Sequence, residues 1–355
     1  MSEQKIDIKE LLRTAVGRKA SDLHISVDHR PTLRVMGRLG NIPEMKIITP
    51  QDSKELAFAL MTEDQQEKFM KEKEIDFSYD FENGTRFRVN VYQQRGTISC
   101  SLRIVPTRVS TLEELNLPAV FTKFTEASQG LVLVTGPSSH GKSTTLAAML
   151  DRINRTQFKR IITIEDPIEY IFQDDKSIID QREINYDTFS FRQALKSVFR
   201  QDPDIIMVGE MRDAETIATV ITAAETGHLV FSTLHTNSAA ETINRIIDSF
   251  PGDQQNQIRS QLASSLIGVI SQRLIPKKDG GLVAACEILM STPATANIIR
   301  ENRVHELDFV IETSAGEGMV SLNKALIHLI QKGKVSLDDA LTYSRRPNEL
   351  KKLIG

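Results

Sequence analysis

The stretch GLVLVTGPSSHGKSTTLAAML, residues 130–150, decides how this chain is read. An apolar run from Leu131 to Val134 ends at Gly136, and a helical pattern resumes after Gly141-Lys142-Ser143. Strand, glycine-bounded loop and helix are the context that the phosphate-loop pattern G-x-x-x-x-G-K-[ST] requires. In such a loop the backbone N–H groups and the helix N-terminus bind phosphate oxygens, the lysine reaches the terminal phosphates, and the hydroxyl can ligate Mg²⁺. The nucleotide-binding set is therefore Gly136, Pro137, Ser138, Ser139, His140, Gly141, Lys142, Ser143 and Thr144, with Ser143 on the metal. The four variable positions hold no extra glycine. A loop with φ above zero at Ser139 would resist a side chain, so an ordinary conformation is expected there.

The same texture continues downstream. RIITIED (160–166), DIIMVGE (204–210) and HLVFSTLH (228–235) are near-continuous apolar runs, as parallel strands covered on both faces should be. Helical patterns separate them at 142–154, 188–200 and 213–226, and another follows at 238–248, so this is an α/β domain with a mainly parallel sheet. Residues 253–275 and 291–353 read as mostly helical. In such sheets functional groups collect at the carboxyl ends of strands. Glu165 ends the second strand and could activate water, although acidic strand-end turns are common in any protein. Ile205–Val208 followed by Gly209-Glu210 has the form of a Walker B strand, whose acidic residue holds Mg²⁺ through water or orients the nucleophile. His235 ends the fourth strand, where it could sense the terminal phosphate; His228 stands near that strand's start, too distant for both to contact one atom.

The first hundred residues differ. Residues 5–18 and 50–72 look helical, and Leu23, Ile25 and Val27 alternate. FSYDFENGTRFRVNVY (77–92) is a hairpin signal around Asn83-Gly84, and a further alternating run follows Arg95-Gly96. The expected organisation is a small α+β domain over 1–105, a proline-bounded linker over 106–118 and the α/β phosphate-loop domain with a C-terminal helical region over 119–355. Arg86, Arg88, Arg95 and Arg103 lie on the meander; phosphoryl transfer needs positive charge, often from another subunit.

Composition narrows the class. The 355 residues are 40% apolar and 26% charged with net charge −3, so no global basic field points to nucleic acid or anionic lipid. The two cysteines, Cys100 and Cys286, have no metal-ligand spacing, and Cys100 reads as a small buried side chain. No apolar run approaches the ~18 residues a membrane span needs, and the charged start has no signal-peptide pattern. A cytoplasmic protein is expected, reaching a membrane through a partner.

With these residues in place the chain resembles the type IV pilus retraction ATPase family, PilT, within the secretion and pilus-assembly ATPases. The likeness covers nearly the whole chain: ASDLHIS (20–26), RFRVNVYQQRG (86–96), the phosphate loop, ITIEDPIEY (162–170), QRE (181–183), DPDIIMVGEMRD (202–213), TAAETGHLVFSTLHTNSAAETINRIID (222–248) and VISQRL (269–274). It implies a homohexameric ring of subunits with a PAS-like N-terminal domain and a RecA-like P-loop ATPase domain. It implies ATP and Mg²⁺ as cofactors, Glu165 in an Asp box, Glu210 in Walker B, and His228 and His235 in a His box. Arg88 and Arg103 match the cross-subunit fingers. Hydrolysis would drive disassembly of the pilin fibre through an inner-membrane platform protein, with the ATPase peripheral to that membrane.

Two segments depart from the family. Ser138, Ser139 and His140 replace residues of its usual GPTGSGKS, and TANIIRE (295–301) stands where AIRNLIRE is usual. His140 reads as a tolerated loop residue, the alternative being a ring on phosphate or on a neighbouring subunit. Competing functions are a pilus extension or type II secretion ATPase, a DNA-handling RecA-like ATPase, and a scaffold that binds nucleotide without hydrolysing it. The extension and secretion ATPases generally carry a longer N-terminal region, and many a four-cysteine element that two separated cysteines cannot supply.

Overall fold

The computed structural model describes residues 6–354. The chain divides into two compact units, one running to Thr107 and taking in Glu169–Ile171, the other comprising Arg108–Ile168 and Phe172 onward.

In the first unit α1 (Ile8–Gly17) precedes β1 (Asp22–Ile25), β2 (Thr32–Val35) and β3 (Arg38–Asn41). Then come α2 (Pro50–Leu60), α3 (Glu63–Glu72), β4 (Glu74–Asp80), β5 (Arg86–Gln94) and β6 (Thr97–Val105). The expected 50–72 helix is two helices, because Thr62 leaves helical geometry to cap α3 through a capping box with Gln65. Residue 5 of the expected first helix lies outside the described residues. The six strands form an antiparallel sheet in the order β3-β2-β1-β6-β5-β4. Leu11, Leu12, Leu23, Phe69, Phe87, Val89 and Leu102 pack into its core. Strands β2 and β3 escape the sequence reading: each has four residues and at most one is buried, so alternation is too short to register.

The second unit contains α4 (Phe121–Glu126), β7 (Gly130–Thr135), α5 (Lys142–Thr156), β8 (Arg160–Glu165), β9 (Ile178–Glu183), α6 (Phe191–Val198) and β10 (Ile205–Val208). It continues with α7 (Ala214–Glu225), β11 (Leu229–Leu234), α8 (Ala239–Asp248), α9 (Gln255–Ser265), β12 (Leu266–Pro276) and β13 (Leu282–Met290). Helices α10 (Pro293–Arg300), α11 (Leu307–Thr313), α12 (Leu322–Gln331), α13 (Leu337–Tyr343) and α14 (Pro347–Ile354) complete it. The sheet order is β13-β12-β7-β11-β10-β8-β9, parallel except for the β12–β13 hairpin. Burial is complete along β7, β10 and β11 because both faces are covered. Leu131, Leu133, Ile162, Ile164, Ile206 and Val208 face one hydrophobic layer, and Val132, Val134, Ile161, Ile205 and Met207 face the other. Residue parity along each strand thus assigns the two cores.

The expected helix over 253–275 is corrected at its second half: Leu266–Pro276 is a strand. A short buried apolar run cannot be told from a helix segment by periodicity, and here pairing with β7 on one side and β13 on the other decides it. Strand β12 matters for function because it outruns its neighbour. The last β7–β12 pair is Thr135 with Ser271, and Gln272–Pro276 continue past the start of the phosphate loop. Both cysteines are free and buried, and burial pushes each thiol up to about 12.

Candidate functional site at the carboxyl edge of the parallel sheet

The site starts with the turn out of β7. Gly136 has φ of 145°, and a Cβ there would lie 2.3 Å from the Gln272 carbonyl oxygen. Only glycine lets the loop leave the sheet so close to β12. Gly141 takes φ of 76° at the entry to α5 and gives that helix no side-chain cap. By contrast α7 and α8, which follow β10 and β11, are capped by Asp213 and Ser238. The positive end of the α5 dipole therefore carries no side-chain cap at Gly141, which suits an anion. Lys142 is buried, and its Nζ donates to the Gly136 and Pro137 carbonyls at 2.9 Å each, which holds the ammonium across the loop's mouth. Ser143 follows in the first turn of α5 and is half-buried.

Ser139 overturns an expectation. Its φ is 64°, in the left-handed region. The loop imposes this turn whether or not glycine occupies the position, and the exposed side chain meets no wall. His140 has local partners that neither sequence reading gave it. Its ring faces β12, where Nδ1 accepts the Leu274 N–H at 2.9 Å, while its carbonyl accepts from Gln272 Nε2 at 2.8 Å. Gln272 Oε1 takes the Thr145 hydroxyl at 2.8 Å, so one buried amide grips both loop and helix.

A chain of carboxyl-edge residues reaches this loop through His235. His235 follows β11; its Nδ1 is 3.4 Å from Ser138 Oγ and its Nε2 is 3.5 Å from Glu210 Oε2. Glu210 follows β10 and pairs on its other oxygen with Arg212, which raises the Arg212 guanidinium above its ordinary value, the hydrogen bond contributing most. The Ser138–His235–Glu210–Arg212 line spans three strand ends. Beneath it, buried hydroxyls connect Thr236 to Thr242 at 2.7 Å, Thr242 to Thr135 at 3.4 Å, and Thr135 to Ser271 at 2.7 Å. This ladder ties β11, α8, β7 and β12 below the loop.

Glu165 ends β8 and is buried, with Oε1 accepting from Thr163 Oγ1 at 2.7 Å and Gln181 Nε2 at 3.2 Å. Gln181 and Glu183 lie on β9, whose run of four polar residues hid it as a strand; Glu183 is in register with Glu165 and accepts the Ile168 N–H at 3.1 Å. His228 stands apart. It precedes β11 beside Gly130 at the amino edge, where its Nδ1 lies 3.0 Å from the Ala223 carbonyl and its ring packs on Phe199. A strand of six residues, roughly 20 Å, separates it from His235. The structure therefore places His228 apart from this cluster, at the opposite edge of the sheet.

In the first unit Arg88 and Arg103 are cross-strand neighbours on β5 and β6, both exposed. Arg103 Nε donates to Asp22 Oδ1 at 2.8 Å. Burial of Asp22 would raise its carboxyl, but Arg103 and Ser21 outweigh that and hold it below its ordinary value.

A family model described as "Type II/IV secretion system protein" matches residues 3–332. A type IV pilus retraction ATPase PilT from Pseudomonas aeruginosa is 46% identical over 345 residues, 96% of this chain and 99% of that protein. The chain belongs to this secretion-ATPase family and, within it, to the PilT retraction ATPases. A twitching motility protein from Neisseria gonorrhoeae is 44% identical, covering 94% of this chain and 89% of its own length. A crystal structure of the pilus retraction motor PilT with bound ADP superposes with a TM-score of 0.91 at 43% identity, covering 98% of this chain and 99% of that one. The mixed α/β architecture, an N-terminal unit followed by a RecA-like ATPase unit, is the fold of that family. Among the described residues no helix is long and apolar enough to cross a membrane.

Proposed function

We propose that this chain is the Mg²⁺-dependent ATPase of a type IV pilus retraction motor, working as a homohexamer on the cytoplasmic face of the inner membrane. The observation that carries the reading is the line from Ser138 through His235 and Glu210 to Arg212, laid along a phosphate loop whose helix N-terminus is left uncapped. ATP phosphates fit the loop N–H groups of 136–144, with Lys142 turning from the Gly136 and Pro137 carbonyls to the terminal phosphates. Mg²⁺, held by the Ser143 hydroxyl and through water by Glu210, would neutralise charge developing on the phosphates. Glu165 and Glu210 are the carboxylates that orient and deprotonate the attacking water. His235 touches both the loop and Glu210, so loss of the terminal phosphate changes its contacts first. Arg88, exposed and given no ion pair among the described residues, suits a finger offered to an adjacent subunit; Arg103 would first have to release Asp22.

Coupling would run through a platform protein in the inner membrane to the pilin fibre. Deleting the gene in a piliated host should abolish twitching and leave excess non-retracting surface pili, and the purified chain should hydrolyse ATP with Mg²⁺. Loss of surface pili would instead assign an extension or secretion role, and an inactive confirmed hexamer would leave only a nucleotide-binding scaffold.

A further inference from the structure

His140 occupies the position just before the second loop glycine, yet its ring turns away from where phosphate binds. Strand β12 runs past the end of β7, so the Leu274 N–H, on the β7 side of the strand, has no strand partner there. His140 Nδ1 takes that N–H at 2.9 Å. The ring is half-buried, and the Tyr343 ring of α13 packs edge-on against it with centroids 6.5 Å apart. The backbone on the same residue is fixed too, its carbonyl accepting from Gln272 Nε2. A histidine can accept at Nδ1 only when that nitrogen carries no proton.

We propose that His140 is a positioning residue that pins the phosphate loop to the overhang of β12 in its neutral, Nε2-protonated form, so that phosphate binding is strongest when this ring is uncharged. The groups facing the ring agree. Lys142 of α5 and Arg273 of β12 are cations and the Tyr343 ring of α13 packs on the imidazole; around Arg273 itself stand Arg345, just beyond α13, and the opposing carboxylates of Glu241 and Glu287. Burial, then Arg273 and Lys142, hold the His140 imidazolium below its ordinary value. A second proton would break the Leu274 bond and place a third cation beside two others, displacing the loop that the α5 N-terminus relies on.

The inference rests on the nucleotide-binding reading, so its test separates the two. Affinity for a fluorescent ADP with Mg²⁺ is measured from pH 8 to pH 5.5 for the wild type, His140→Ala, His140→Asn and Lys142→Ala. The side-chain carbonyl of Asn can take the Leu274 N–H but does not titrate. At pH 8 His140→Ala should bind about fivefold to tenfold more weakly than wild type, in line with loss of one buried hydrogen bond, and His140→Asn should recover most of that loss. The ratio of wild-type to Asn affinities, from which the ligand's own phosphate titration cancels, should fall below pH 6.5. Thermal unfolding of each variant checks that the fold persists. Wild-type and His140→Ala affinities that coincide at every pH, while Lys142→Ala abolishes binding, would overturn this inference alone. A wild-type chain that binds no nucleotide would overturn the site reading with it.

Discussion

Ser139 shows how a residue can be unfavourable locally and still belong to a working site. Its φ of 64° costs an L-residue about 1 kcal/mol, and nothing around its exposed side chain repays that. Ser139→Gly should therefore bind ADP as well as wild type or up to about fivefold more tightly in a fluorescence titration; a tenfold loss would mean that the hydroxyl itself contacts the ligand. On the proposed reading Glu210 supplies the base. Glu210→Gln keeps the size that sits between His235 and Arg212 but removes the carboxylate charge. Steady-state turnover should fall by at least ~100-fold while ADP affinity stays within a few-fold. Retained turnover would pass the role to Glu165.

At the scale of elements, β12 and β13 organise what the loop does. Their hairpin supplies Gln272 and Leu274 to the loop, and Glu287 to the helix that follows His235. Glu287 is buried on β13; its Oε1 accepts the Ala239 N–H at the start of α8 at 2.9 Å, and its Oε2 lies 3.4 Å from Arg345 Nη1. Burial pushes its carboxyl above the ordinary value, and Ala239 and Arg345 only partly oppose this. An acid whose folded pKa is raised holds its proton more tightly folded than unfolded. Its contribution is thus full below the unfolded value, near pH 4.3, and declines as pH climbs through the folded one. Glu287→Gln should flatten this decline, so thermal unfolding at pH 8 finds the variant at least as stable as wild type. Glu287→Ala should cost about 1–3 kcal/mol by stranding the Ala239 N–H. Equal pH dependence in wild type and Glu287→Gln would show that the carboxyl does not titrate in this range.

At the scale of the whole molecule, each unit holds charges that its own core does not need. Rings mixed from Arg88→Ala and Lys142→Ala subunits should recover part of the ATPase activity that either homogeneous variant lacks, since some interfaces would pair an intact loop with an intact arginine. Mixtures as inactive as their parents would place Arg88 outside the reaction. The α/β class, the phosphate loop, Glu165, Glu210 and His235 were legible in the sequence because each follows a buried apolar strand, and backbone chemistry assigns function to strand ends. Five strands were not. Strands β2, β3 and β9 are too short or too polar for periodicity, β13 escaped the sequence reading, and β12 looks the same as a buried helix until its neighbours pair with it. The sequence by itself determined which chemical groups this protein carries to one sheet edge, since local pattern and spacing suffice for that. Only the tertiary structure decided that Ser139 turns left-handed, that His228 belongs to the far edge, and that His140 faces β12. Those facts depend on which strands lie side by side and where one outruns another, and strand order is a property of long-range packing rather than of any stretch of sequence.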